Sequence, residues 1–125
     1  MKLLLDTHLV LWAMQDSKQL STAARRQIRA AEANYVSAAS LWEIAIKASL
    51  GKLEIDSDLL EEQLDAAGFQ PLPITWRHTA DVRKLPMHHR DPFDRMLVAQ
   101  AMSEPLRLLT HDAGLAAYTD LVMVV

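Results

Sequence analysis

The amino-acid sequence predicts an α/β fold, a three-layer sandwich with helices on both faces of a mostly parallel sheet of about five strands. Three observations lead there. Short apolar runs alternate with stretches of helical periodicity along the whole chain. The first run, Leu3-Leu4-Leu5, is apolar without alternation, as a strand buried on both faces should be. The 125 residues contain no repeat, low-complexity tract or linker, so a single domain spanning residues 1–125 is expected.

Each element has a local reason. Asp6 ends the first strand, and Leu9, Val10, Trp12 and Ala13 continue at helical spacing. Ser21 is placed to cap a helix from Thr22 to Ala33, with Arg25, Arg26 and Arg29 on its wet face. Tyr35-Val36-Ser37 reads as the second strand. Ser40 opens a helix from Leu41 to Leu50, which Gly51 closes. A further helix is expected from Asp58 to Ala67, ended by Gly68. Pro71 and Pro73 restrict Phe69 to Ile74 to an edge strand or an extended connection. Thr75 to Leu85 is amphipathic and helical. Asp91 as N-cap and Pro92 at the first helical position start a helix that runs to about Ser103. Leu106 to Thr110 is a strand, Asp112 to Tyr118 a short helix, and Leu121 to Val125 the last strand.

Composition narrows the function. The chain has no cysteine, which removes disulfides, thiolate metal sites and thiol nucleophiles. A net charge of −3 excludes a general polyanion binder, so contact with nucleic acid would need a local basic rim or bound cations. Met1 to Leu5 briefly imitates a secretory leader, but Asp6 and His8 interrupt it and no small-residue cleavage site follows. No uncharged apolar run approaches the ~18 residues of a membrane span. A soluble, cytoplasmic protein with no membrane partner is the expectation.

The chemistry is expected in four acids. In open α/β sheets, ligands collect outside the carboxyl ends of the strands. Asp6 sits at the end of the first strand and Asp112 two residues beyond Thr110. Glu43 and Asp94 fall in the first turn or so of helices whose starts face the same edge. Four carboxylates in one place repel one another unless a cation fills the space between them. Hard oxygen donors select Mg²⁺, Mn²⁺ or Ca²⁺ over zinc.

Each acid also has a plainer reading. Asp6 and Asp112 could cap the helices that follow them. Asp94 stands where an acid complements the helix dipole. Glu43 precedes Lys47 by four residues, the spacing of a surface ion pair. Against that last reading, Leu41, Trp42, Ile44, Ala45, Ile46, Ala48 and Leu50 make the helix apolar nearly all round. Its narrow stripe of Ser40, Glu43 and Lys47 must therefore meet a cleft or a small window of solvent. Asp91 reads as a cap, although its spacing would let it reach a metal beside Asp94. Lys47, Arg90 and Arg95 could neutralise the cluster or contact phosphate, or could be ordinary solvated charges.

The remaining polar and aromatic residues suggest less. No pair among His8, His78, His88, His89 and His111 has the spacing of a zinc motif. His88 and His89 read as a solvated loop or as part of a phosphate rim. Trp12 and Trp42 read as core packing, Trp76 as part of a helix start, and none as a base-stacking platform. No Gly-x-Ser-x-Gly turn is present, and three glycines in all exclude a phosphate-cradling glycine loop.

Four segments together resemble a known family. Leu5-Asp6-Thr7-His8, Ser37-Ala38-Ala39-Ser40-Leu41-Trp42-Glu43-Ile44, His89-Arg90-Asp91-Pro92-Phe93-Asp94-Arg95-Met96 and Leu109-Thr110-His111-Asp112 are similar, in this order, to the motifs of PIN-domain ribonucleases. Among these the chain is most similar to the VapC toxins of bacterial toxin–antitoxin pairs, from Lys2 to its end. The resemblance implies a PIN-like fold and a Mg²⁺ or Mn²⁺ site made of Asp6, Glu43, Asp94 and Asp112, with Thr110 in support and Asp91 a frequent neighbour. It further implies metal-assisted hydrolysis of RNA to a 5′-phosphate and a 3′-hydroxyl, a homodimer, and a cognate antitoxin that inserts a segment into the cleft. Leu9, Leu20 and Ile28 are candidates for the dimer surface.

Three other classes compete. A haloacid-dehalogenase-like phosphatase needs a second Asp where His8 stands. A receiver-type signalling domain needs paired acids after the first strand and a Lys after a late one, and neither is present. A catalytically silent, PIN-like regulatory module that only binds partners would not need the full acid set.

Overall fold

The computed structural model describes residues 1–125. Its centre is β1 (Lys2–Leu5), whose three leucines are wholly buried. Their alternation builds two cores from one short run. Leu3 and Leu5 face a cluster with Leu9, Val10, Leu20, Ala24, Ile44, Leu60 and Leu64, while Leu4 faces Leu97, Val98, Ala101, Leu108 and Leu115 on the opposite side. Successive strand residues point to opposite faces, so each face receives its own helical layer.

Five strands form the sheet: β1, β2 (Ala33–Ser37), β3 (Gln70–Leu72), β4 (Arg107–Thr110) and β5 (Val122–Val124), in the order β3-β2-β1-β4-β5. Every pairing is parallel. Pro71 lies within β3, and a residue that cannot donate to a ladder is tolerated there because β3 is an edge. The expected three-layer α/β fold is therefore the observed one, with a sheet that is parallel throughout.

The helices are α1 (Thr7–Met14), α2 (Thr22–Ala30), α3 (Ala38–Ser49), α4 (Ser57–Ala66), α5 (Trp76–Lys84) and α6 (Pro92–Ser103), and a 3₁₀ turn covers Ala113–Ala117. Several boundaries differ from the sequence reading. Helix α2 stops at Ala30 because parallel pairing of Lys2 with Ala33 draws the following residues into β2. Helix α3 begins at Ala38, capped by the Ser37 hydroxyl, which accepts the Ala39 N–H. Ser40, expected as the cap, is instead a buried helical residue whose hydroxyl accepts a hydrogen bond from Thr7 at 3.0 Å. Glu43 consequently stands in the second turn of α3, one turn further in than expected.

Two packing expectations also change. Trp42, read as core, is 62% exposed and meets Phe93 edge to face, so α3 is not buried all round. Leu9 and Leu20, read as candidates for a dimer surface, are buried in the core and cannot form one. No helix is long and apolar enough to cross a membrane.

A candidate metal centre at the carboxyl edge of the sheet

The register of two strands brings the first residues of the site together. Leu5 is the partner of Leu109, so Asp6 and Thr110 leave the sheet side by side, with the Asp6 N–H bonded to the Leu109 carbonyl at 3.0 Å. Asp6 is buried and has a task for each oxygen. Its Oδ1 accepts the Leu9 N–H at 2.9 Å and caps α1, while Oδ2 accepts the Thr110 hydroxyl. The plain reading of Asp6 as a cap and its reading as a site residue are thus both realised, by different atoms.

Thr110 also joins the second acid. Its hydroxyl oxygen accepts the Asp112 N–H at 3.0 Å, so one buried side chain links Asp6 to Asp112. Asp112 Oδ1 accepts the Gly114 N–H at 2.9 Å and caps the 3₁₀ turn. Gly114 suits this approach, since a Cβ there would lie 3.1 Å from that oxygen. Burial pushes the Asp112 carboxyl up, but the Gly114 N–H, the His89 hydrogen bond and the charges of His89 and His111 outweigh it. The carboxyl stays below the usual aspartate range.

Asp94 is in the opposite condition. It sits in the first turn of α6, and its carboxyl is pushed up to about 7. Burial is the main cause, followed by Asp91, with Asp6 and Glu43 adding to it and His89 opposing it. The ligand atoms of His89, Asp94 and Asp112 lie within 4.8 Å of one another, and the charges of Asp91, Asp6 and Glu43 disfavour an ionised Asp94. Without a cation, a proton on Asp94 relieves the repulsion. With a cation bound, the proton can leave. The donor set therefore fits a divalent ion.

Glu43, 7% exposed, completes the acid group by its charge on Asp94. Its Oε2 pairs with Lys47 Nζ at 3.0 Å, so the expected i,i+4 pair exists beside the acids rather than on an open face. Asp91 accepts the N–H groups of Phe93 and Asp94 at 2.8 and 3.1 Å, and is a cap as read from the sequence.

The three basic residues separate. Lys47 is beside Glu43, and Arg90 is exposed in the loop before α6. Arg95 does not reach the acids. It is buried, and its guanidinium donates to the carbonyls of Pro86, Val82 and Leu85 and to the Tyr118 hydroxyl. It cannot contact phosphate from there, because its donors already hold the loop that precedes α6.

Sequence reasoning missed three histidines. His89, read as part of a solvated loop or of a phosphate rim, places Nε2 3.0 Å from Asp112 Oδ2 and 3.8 Å from Asp94 Oδ2. His111 places Nδ1 3.6 Å from Asp6 Oδ2, and the rings of His8, Trp12 and His111 contact one another. The available signal was positional, since His8 and His111 follow the ends of two strands that pair. A groove of about 790 Å³ between α3, α4 and β3 contains none of the four acids. Chemistry rather than concavity locates the site.

A parallel α/β sheet with acids gathered at its carboxyl edge is an architecture able to hold a divalent ion, and comparison gives the family to which the chain belongs. A family model for the PIN domain matches residues 3–121. The chain is 31% identical over 118 residues to Ribonuclease VapC22 of Mycobacterium tuberculosis (strain ATCC 25618 / H37Rv), covering 92% of this chain and 90% of the relative. It belongs to the PIN-domain family. The fold is shared with VapBC2 from Rickettsia felis bound to a DNA fragment from its promoter, at a TM-score of 0.71 and 12% identity over 100% of this chain and 98% of that one. It is shared as well with a toxin–antitoxin complex from Klebsiella pneumoniae, at a TM-score of 0.68 and 15% identity over 97% and 95% of the two chains.

Proposed function

We propose that this chain is a single-domain, divalent-metal-dependent endoribonuclease and the toxin of a type II toxin–antitoxin pair. The observation that carries the proposal is the company of Asp94, a half-buried carboxyl raised to about 7 with Asp91, Asp6 and Glu43 adding to the shift. A carboxyl crowded by other acids in this way favours holding either a proton or a cation. The family assignment and the relative named as a ribonuclease supply the reaction class, and solved relatives in toxin–antitoxin complexes support an antitoxin partner. A homodimer acting in the cytoplasm completes the reading.

Asp6, Glu43, Asp94 and Asp112 would hold Mg²⁺ or Mn²⁺. When bound, the ion supplies Lewis acidity, lowering the pKa of a water and offsetting charge on the scissile phosphate. The chain's own residues do the rest. Thr110 keeps Asp6 and Asp112 at a fixed separation. His89 turns the Asp112 carboxylate. Arg90, exposed in the loop before α6, and Lys47, which draws charge from Glu43, would give an acidic protein a local basic rim for the RNA backbone.

The test is cleavage of labelled total RNA by the purified, antitoxin-free chain with Mg²⁺ or Mn²⁺, beside Asp6→Asn. Discrete products that vanish with EDTA and in the variant are expected. A folded, metal-loaded parent that cuts nothing across a broad RNA panel would leave a binding module in place of the enzyme.

A further inference from the structure

The histidines divide by what their ring nitrogens do. His78 uses both, accepting the Thr75 N–H at 3.0 Å on Nδ1 and facing Glu104 at 2.5 Å with Nε2. His89 also uses both, with the Asp91 N–H on Nδ1 and Asp112 at Nε2. His8 and His111 make no hydrogen bond to the protein, yet both turn nitrogens toward the same buried carboxylate. The ligand atoms of Asp6, His8 and His111 lie within 4.8 Å of one another. The nearest pair, His111 Nδ1 and Asp6 Oδ2, is 3.6 Å apart, too long for a hydrogen bond.

That spacing suits a shared ion. Donors bound at ~2.0–2.2 Å in tetrahedral or octahedral geometry stand roughly 3–3.5 Å from one another when adjacent. One pair is already near this separation, and the remaining ligand atoms lie within 4.8 Å, on two exposed imidazoles. The cluster is also positioned from behind. Trp12 packs against both rings, with centroids 5.8 Å from His8 and 4.9 Å from His111, which limits how they turn. The strand register fixes the third member, since Asp6 and Thr110 emerge as neighbours and His111 follows directly.

We propose that Asp6, His8 and His111 form a nitrogen-containing ligand set that takes a first-row transition ion and gives the centre a preference for Mn²⁺ or Zn²⁺ over Mg²⁺. Imidazole is a borderline donor that transition ions accept readily, whereas Mg²⁺ requires oxygen and retains its waters. Two imidazoles and one carboxylate also leave coordination positions open, as sites that activate water do. Asp6 belongs to this set and to the acid group, so an ion on the histidines is continuous with the centre proposed for cleavage. The inference rests on that reading for its biological meaning but not for its detection.

Pulsed EPR of the full chain loaded with MnCl₂ tests it, because coupling to ¹⁴N reports imidazole ligation whether or not RNA is cut. The parent should show ¹⁴N coupling. It should weaken in His8→Ala and in His111→Ala, vanish in the double variant, and persist in His88→Ala, whose ring packs instead on Tyr118. By calorimetry, Zn²⁺ and Mn²⁺ affinity should fall about tenfold or more for each histidine removed, the scale on which lost metal-site partners act. Mg²⁺ affinity should be nearly unchanged. Oxygen-only Mn²⁺ in the parent, or coupling that survives in the double variant, overturns the proposal. The two readings separate cleanly. A chain that cuts RNA with oxygen-only Mn²⁺ loses this site and keeps the nuclease, and a nitrogen-ligated chain that cuts nothing does the reverse.

Discussion

His89 Nε2 stands 3.0 Å from Asp112 Oδ2 while its Nδ1 accepts the Asp91 N–H at 3.2 Å. The second bond settles the direction of the first. A ring nitrogen that accepts from a backbone amide carries no proton, so in the neutral ring Nε2 does, and it donates to Asp112. The ring is held in turn, because the His89 N–H donates to the Tyr118 hydroxyl at 2.8 Å and Arg95 donates to the same hydroxyl. In this tautomer His89 orients the Asp112 carboxylate and has no free ring nitrogen to offer an ion. His89→Ala should lower Mn²⁺ affinity and cleavage by about 10–100-fold, the usual range for residues that orient metal ligands. His89→Gln, which can still donate one hydrogen bond to Asp112, should recover part of both. Equal loss in the two variants would mean that the ring matters for something other than this donor.

Thr110 holds two acids with one hydroxyl, donating to Asp6 and accepting from the Asp112 amide. Thr110→Val keeps the shape and removes both bonds, leaving a partly buried N–H unpaired and a buried carboxylate oxygen without its donor. The expected cost is ~1–3 kcal/mol. For a chain of this size that lowers Tm by roughly 4–15 °C. Thr110→Ser should melt near the parent and retain most of its cleavage. Circular dichroism on the metal-free proteins checks this, and a Thr110→Val that melts with the parent would remove the hydroxyl from the account.

Local signals were legible in the sequence, and partnerships between distant segments were not. The unalternating Leu3-Leu4-Leu5 run, the Asp91-Pro92 helix start and the Pro-restricted edge strand were readable because each depends on neighbours a few residues away. The start of α3 was not, since Ser37 and Ser40 are both competent caps. Only Thr7, packed against Ser40 from another helix, shows which one is helical. Trp42 read as core for a similar reason, because an apolar residue on an apolar helix carries no mark of the side left uncovered. The four acids were found by type and order. The histidines beside them carry no zinc-motif spacing within one segment, because strand register joins His8 to His111 across the chain.

Asp94 should make stability depend on pH in a defined direction. Its carboxyl is raised from 3.8 to about 7, so between those values the folded chain holds a proton that the unfolded chain has released. Stability from this group is therefore full below about pH 4 and is lost as pH rises to about 7. Asp112, which is lowered, acts oppositely and only at more acid pH, where its contribution disappears as it is protonated. In the metal-free protein, Asp94→Asn should flatten the decline in Tm between pH 5 and 7.5. Added Mn²⁺ should stabilise the parent more at the upper end of that range, because the ion displaces the same proton. A variant as pH-sensitive as the parent would place the proton elsewhere.

Arg90 and Arg95 flank the same turn and should fail in different ways. Arg95 is buried, with its guanidinium on three backbone carbonyls and Tyr118, so removing it orphans acceptors that hold the approach to α6. Arg95→Ala should cost about 3 kcal/mol of stability, since hydrogen bonds to a charged group contribute ~1.5–3 kcal/mol and several are lost together. Arg95→Lys should be only a little better, because a point charge cannot reproduce the planar fork. Arg90 is exposed, and Arg90→Ala should change stability by less than about 0.5 kcal/mol. Its expected effect is on RNA binding. Measured in an Asp6→Asn background so that no RNA is cut, loss of one phosphate contact should weaken affinity and reduce the slope of log K against log salt by about 0.7. Arg95→Ala refolded at low temperature should keep the parent's slope. If instead Arg95→Ala lowers the slope and Arg90→Ala does not, the buried guanidinium must leave its carbonyls when RNA binds, and the loop before α6 would be a moving part of the site.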